Sequence, residues 1–183
     1  MRHGQSKANV MGLIVSDPSN GIHTDYALSD QGRMQVVESA QKTRLGKDTI
    51  IYSSDFSRAR ETASIVCRQF GVEKIHITHA LRERNFGDYE KTDHGNYQLV
   101  WSDDAVNSSH KNNKVESVDE VIERTTTFIQ KLEKTYNNQD ILLVSHGDTL
   151  QILQTSFQNV DGSKHRSLPH LKTAEIRELQ FKR

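Results

Sequence analysis

Apolar residues along this chain fall into two rhythms. Short unbroken runs, Ile50-Ile51-Tyr52 and Ile141-Leu142-Leu143-Val144, sit between polar flanks. Runs of that length predict strands buried on both faces, within residues 48–54 and 140–148. Between and beyond them the spacing is helical. Ala59, Ala63, Val66 and Phe70 follow a Ser54 or Asp55 N-cap and end at Gly71, a C-terminal stop. Met34, Val37, Ala40 and Leu45 predict a helix over residues 30–45. Ser117-Val118-Asp119-Glu120 is a capping box, opening a long helix whose buried stripe runs through Val118, Val121, Ile122, Thr125, Ile129, Leu132 and Tyr136. Leu150, Leu153 and Phe157 share one face of a helix after the second run. Residues 73–78 predict a short strand. In residues 174–181, Ile176, Leu179 and Phe181 alternate imperfectly with charge, which predicts a final edge strand. Residues 5–27 read as a polar loop with one helical turn, and residues 84–116 as polar and irregular, with a loop tip at 111–114. Strand and helix alternate, so the fold class is α/β, a three-layer α/β/α sandwich with a mostly parallel central sheet.

Composition narrows the function classes. At 183 residues the expectation is a single domain, 1–183, with 84–116 an insertion. Lys plus Arg and Asp plus Glu number 24 each, so net charge points to neither nucleic acid nor a membrane surface. No apolar run is long enough to span a bilayer and no signal peptide is visible, so the expected location is cytoplasmic. The lone Cys67 rules out an internal disulfide and reads as a packed side chain.

Each strand end carries chemistry for an anion. The chain opens Met1-Arg2-His3-Gly4-Gln5-Ser6, in which arginine offers a planar fork to a phosphoryl group, imidazole a nucleophile, and glycine a close backbone approach. Arg58 falls in the first turn of a helix just past the first run, beside free backbone donors. His146-Gly147 follows the second run. Ligands of open α/β sheets bind beyond the carboxyl ends of the strands, so Arg2, His3, Arg58 and His146 are expected to surround one anion. Asn9 and amides near Gly4 and Gly147 would be further phosphate donors. The remaining histidines are scattered at no metal-site spacing. Neither a metal nor a cofactor is expected, because the arginines already supply positive charge.

Taken in order, the motifs resemble the histidine phosphatase superfamily, also called the phosphoglycerate mutase-like family. They are Arg2-His3-Gly4-Gln5-Ser6 with Asn9; Leu28-Ser29-Asp30-Gln31-Gly32 with Gln35; and Ser54-Asp55-Phe56-Ser57-Arg58-Ala59 with Glu61-Thr62-Ala63. Leu81-Arg82-Glu83-Arg84 with Phe86-Gly87, Glu116-Ser117 and Ser145-His146-Gly147 complete the set, which spans nearly the whole chain. The resemblance implies a phosphoglycerate mutase-like sandwich and a phosphohistidine formed on His3. It also implies that Glu83 is the general acid. From its own neighbours Glu83 would equally suit a surface ion pair with Arg82 or Arg84, and Asp148 is a rival acid. The expected activity is a metal-independent phosphomonoesterase for a small phosphate ester. Alternatives are a phosphoglycerate mutase-type transferase, or a catalytically weak phospho-ligand binding protein. Hydrolysis is favoured over mutase chemistry because residues 88–116 offer only Lys91, Lys111 and Lys114 to a second acidic group. In that stretch His94, Tyr97, Trp101 and His110 are candidate pocket-lining residues. One departure stands out: relatives carry an apolar strand before Arg-His-Gly, and here Met1 alone remains of it. Either upstream residues are absent from this sequence or another segment fills the gap.

Overall fold

The two apolar runs lie side by side at the centre of the sheet. In the computed structural model, which describes residues 1–180, β1 (Ile50–Ser53) pairs in parallel with β2 (Ile75–Ile77) on one side and β3 (Ile141–Val144) on the other. Ile51 stands opposite both Ile75 and Leu142. The strand period of two divides the side chains between two cores. Ile51, Leu142 and Val144 pack with Val36, Ala59, Ala63 and Val66. Tyr52, Ile141 and Leu143 pack on the opposite face with Phe128, Ile129 and Leu132. The first layer is α3 (Asp30–Gln41) with α4 (Ser57–Phe70), and the other is α6 (Val118–Thr135) with α7 (Gly147–Gln158). This is the expected α/β sandwich.

Residues 1–3 extend the sheet beyond β3. Ser145 N donates to Met1 O, His3 N donates to Ser145 O, and Arg2 bridges Ser145 in parallel. Their outer edge meets the C-terminal segment through Arg2 N to Glu175 O and Ala174 N to His3 O. The Met1 amine is buried against Leu143 O at 2.7 Å, and burial lowers its pKa from 8.0 to about 5. A cavity of about 540 Å³ opens beside it, lined in part by Leu132, Leu143, Phe157 and Ile176. The segment expected as a final strand forms none within residues 174–180. Ala174 takes a left-handed φ of 61° and Glu175 N turns back to Lys172 O, so pairing stops after two hydrogen bonds. Phe181 lies outside the described residues.

Helix ends follow local chemistry. Ser117 and Glu120 form the expected capping box of α6, and Gly71 closes α4 at φ 70°. The start of α4 differs: its N-cap is Phe56, and Ser54 Oγ instead accepts from Phe56 N. The third helix ends at Gln41 and buries Val36 rather than Met34, which is 57% exposed. Two stretches expected as loops hold short helices, α1 (Lys7–Met11) and α2 (Pro18–Gly21) before α3, and α5 (Tyr97–Val106) within residues 84–116. Helix α1 is fixed by a reciprocal capping box between Ser6 and Asn9.

Candidate active site

The carboxyl ends of the strands converge on His3. Its Nδ1 donates to Gly4 O at 2.6 Å, and its Nε2 accepts from Arg58 Nε at 3.2 Å. The carbonyl therefore fixes the tautomer, leaving Nε2 unprotonated at the cavity wall, where its lone pair meets the Arg58 guanidinium. Burial lowers the His3 pKa well below 6.5, with Arg58 and then Arg2 adding to the effect against the Gly4 carbonyl, so the ring is neutral.

Arg58, 4% exposed, is anchored through Nη2 to Val15 O at 2.8 Å. Its Nη1 is buried without a partner. Arg2 is held by Leu171 O at 2.8 Å and His170 Nε2 at 2.7 Å, and its Nε is also buried without a partner. Neither guanidinium meets a carboxylate among the described residues. Buried Arg84 does, binding Asp104 with two 2.7 Å hydrogen bonds and reaching Asp148 at 3.3 Å. A buried cation without an anion is costly, so a site holding two arginines in that state is built for an anionic ligand. Both border one cavity of about 440 Å³, together with His3, Asn9, Glu83 and Gly147.

Glu83 is buried, not a surface ion-pair partner: Arg82 pairs with Asp55 and Arg84 with Asp104. Its Oε1 accepts from Arg84 N, Thr149 N and Thr149 Oγ1, each at 3.1 Å. No group among the described residues binds Oε2, and Glu83 lines the cavity. Burial, then the neighbouring Asp148, raises the Glu83 pKa against the opposing pull of Arg58. Asp148 itself accepts from Trp101 Nε1 at 3.0 Å and from Arg84, so both its oxygens are engaged.

Three expected phosphate ligands stand differently. The Gly4 amide is spent on Thr62 Oγ1 at 3.1 Å and does not face the cavity. Glycine is needed there because a Cβ would meet Gly32 O at 2.5 Å. His146 is fully buried, edge-on to His3 with ring centroids 5.1 Å apart, and shares a hydrogen bond with Ser54 Oγ. It adjoins His3 but does not line the cavity, and its Nδ1 is buried without a partner. Burial, then Arg58, holds its pKa well below 6.5. Asn9 lines the cavity but spends its Oδ1 on Ser6 N.

His94, Tyr97 and Trp101 line the cavity as expected, whereas His110 is buried on Asp104 at 2.8 Å. Sequence reasoning missed His170. It orients Arg2, and burial, then Arg2, lowers its pKa to about 4, so it stays a neutral acceptor. No spacing marks it; its position depends on the path of the C-terminal segment.

The family model of the histidine phosphatase superfamily (branch 1) matches residues 1–183. The chain belongs to that superfamily. It is 29% identical over 160 residues to an adenosylcobalamin/alpha-ribazole phosphatase of Salmonella typhimurium, covering 84% of this chain and 75% of the relative. It is 27% identical over 164 residues to a 2,3-bisphosphoglycerate-dependent phosphoglycerate mutase of Parvibaculum lavamentivorans, again covering 84% and 75%. In fold it is similar to Bacillus stearothermophilus YhfR, with a TM-score of 0.80, 24% identity, and coverage of 99% of this chain and 91% of that one. Histidine phosphatase superfamily members thus include both hydrolases and mutases among the relatives of this chain.

Proposed function

We propose that this histidine phosphatase superfamily member is a phosphomonoesterase that passes a phosphoryl group from a small ester through His3 to water. In the first step the His3 Nε2 lone pair attacks phosphorus, the N–P bond forms, and the P–O ester bond breaks. Glu83 Oε2 gives its proton to the departing alkoxide. In the second, Glu83 takes a proton from water as the water attacks phosphorus. The N–P bond breaks, phosphate leaves, and the neutral imidazole returns. Arg2 and Arg58 hold the non-bridging oxygens, where charge stabilisation carries most of the catalysis in phosphoryl transfer.

The observation that carries this reading is the pair of arginines with unpartnered buried nitrogens beside a neutral imidazole whose unprotonated Nε2 borders the same cavity and meets only Arg58. Hydrolysis is favoured over mutase chemistry by the rest of the wall. Among the described residues no lysine or arginine beyond Arg2 and Arg58 lines the cavity, and Arg166 behind the Trp101 ring is engaged with Gln151. Lys111 and Lys114 are engaged with Glu120 and Asp88. A phosphoglycerate carboxylate would meet no further strong cation among the described lining residues.

The test is phosphate release from a panel of monoesters, including 3-phosphoglycerate, in the presence of a chelator and with His3→Ala as control. Chelator-resistant release that vanishes in the variant is expected. Isomerised phosphoglycerate in place of free phosphate would make the protein a mutase. Inertness of the folded protein on the whole panel would make it a phospho-ligand binding protein.

A further inference from the structure

We propose that the Tyr97 hydroxyl is a ligand of the phosphoryl group, donating a hydrogen bond to one of its non-bridging oxygens. The proposal rests on the reading above, that this cavity holds a phosphate ester. It adds a donor from residues 84–116, which otherwise contribute none to the anion.

Tyr97 opens α5 and lines the cavity that Arg2, His3, Arg58 and Glu83 share. Its ring is clamped. It stacks on Trp101 with centroids 5.3 Å apart and planes 11° apart, and it meets Phe86 edge-on at 4.6 Å. Trp101 is itself fixed, by its hydrogen bond to Asp148 and by the Arg166 guanidinium 3.6 Å from its ring centre. Phe86 is fully buried. Such a ring cannot swing away without breaking both contacts, so the direction of its hydroxyl is set before any ligand arrives.

That hydroxyl, at the wall of the cavity, has no hydrogen-bond partner among the described residues and so is free to bind a ligand. Three other tyrosines have partners. Tyr52 and Tyr136 share a hydrogen bond between their hydroxyls, and the Tyr89 hydroxyl accepts from Asn113. The charges that act on the Tyr97 hydroxyl are those of the site: Glu83, Arg58, Asp148 and Arg2. Burial, then Glu83, lifts its pKa well above the usual phenol range, so it stays protonated and available as a donor throughout the working range. The charged groups that act on it do not supply a ready acceptor. Arg2 and Arg58 only donate, both oxygens of Asp148 are taken, and Glu83 Oε2 carries the proton destined for the leaving group. The acceptor it lacks is the one a phosphate ester brings.

Tyr97→Phe removes the hydroxyl and leaves the stack intact. Trp101 is the only tryptophan of the chain and adjoins the cavity, so its fluorescence reports titration with inorganic phosphate directly. The variant is expected to bind phosphate roughly tenfold more weakly or worse, the scale of one lost hydrogen bond to a charged group. kcat/KM on alkyl and aryl phosphates should fall by the same factor, with the pH profile and melting temperature unchanged. Unaltered phosphate affinity would overturn the proposal. So would a loss confined to alkyl phosphates, which would place the hydroxyl on the leaving oxygen. The phosphate titration does not depend on turnover. A protein that binds phosphate through Tyr97 but hydrolyses nothing would refute the phosphatase reading alone.

Discussion

Replacing Glu83 by glutamine isolates the proton transfer from everything else the residue does. Oε1 accepts three hydrogen bonds, from Arg84 N, Thr149 N and Thr149 Oγ1. The amide oxygen of glutamine can keep all three, and its NH₂ then occupies the place of Oε2. The fold and the cavity shape should survive, and only the transferable proton is lost. An expelled alkoxide is about as poor a leaving group as hydroxide, whose parent water has a pKa of ~15.7. Unassisted departure should therefore cost the full general-acid contribution, ~10²–10⁴ in the rate of phosphoryl transfer from an alkyl phosphate. p-Nitrophenyl phosphate needs no proton, so its transfer step should be almost unaffected. Hydrolysis of the phosphohistidine loses its base in either case. Rapid mixing of Glu83→Gln with p-nitrophenyl phosphate should thus give a burst of one nitrophenol per site at near wild-type rate, then slow turnover. The pH dependence carries the same sign. Wild-type transfer to alkyl leaving groups should fall as pH rises through the raised Glu83 pKa, and that limb should vanish in the variant. Equal loss of the burst rate on alkyl and aryl esters would refute the proton-donor role.

The supporting structure makes its own predictions. Asp104→Ala strips Arg84 of its two-pronged partner in a site that is 0% exposed for both residues, and should cost ~3–5 kcal/mol in urea unfolding; a loss below 1 kcal/mol would mean the pair is dispensable. His170→Ala frees Arg2 from one of its two anchors and should raise KM more than it lowers kcat, while leaving the melting temperature nearly unchanged; steady-state kinetics showing an unchanged KM would contradict this. His3 and His146 both have pKa values held well below 6.5 in the folded protein. The unfolded chain binds protons there that the folded chain refuses, so stability should be fully present above pH ~6.5 and fall as pH drops below it. Denaturation midpoints between pH 7.5 and 5 check this, and a profile unchanged by His3→Ala would remove His3 from the account.

Much of the frame was legible because it depends on local rules. The runs at 50–52 and 141–144 became β1 and β3, and the stripe Ala59, Ala63, Val66 and Phe70 is buried on α4. Arg58 falls in the first helical turn after a strand, where the spacing put it. Other features depend on contacts that no local pattern encodes. Helix α5 was missed because its inward residues are mixed: it buries Val100 and Asp104 while Leu99 and Val106 are exposed, so polar Asp104 interrupts the apolar rhythm. Asp104 is buried because Arg84, twenty residues away, and His110 come to meet it. Of the stripe read for residues 30–45, Val37, Ala40 and Leu45 pack in or against the core, whereas Met34 is exposed and Val36 takes the inward place. Gly4 looked like an anion contact, but its amide is claimed by Thr62 and its missing Cβ by the approach of α3. His170 gained its role through the return of the C-terminal segment past Arg2, a pairing 168 residues apart in the chain.

The central claim is that His3 carries the phosphoryl group in a covalent intermediate. Its most direct test is an acid-free denaturing quench of the protein during turnover of a phosphate monoester, with Glu83→Gln used to slow the second step, followed by peptide mass spectrometry. The account predicts one base-stable, acid-labile phosphate per chain, on His3. Phosphate on any other residue, or none at a time when the first product has already been released, would contradict it.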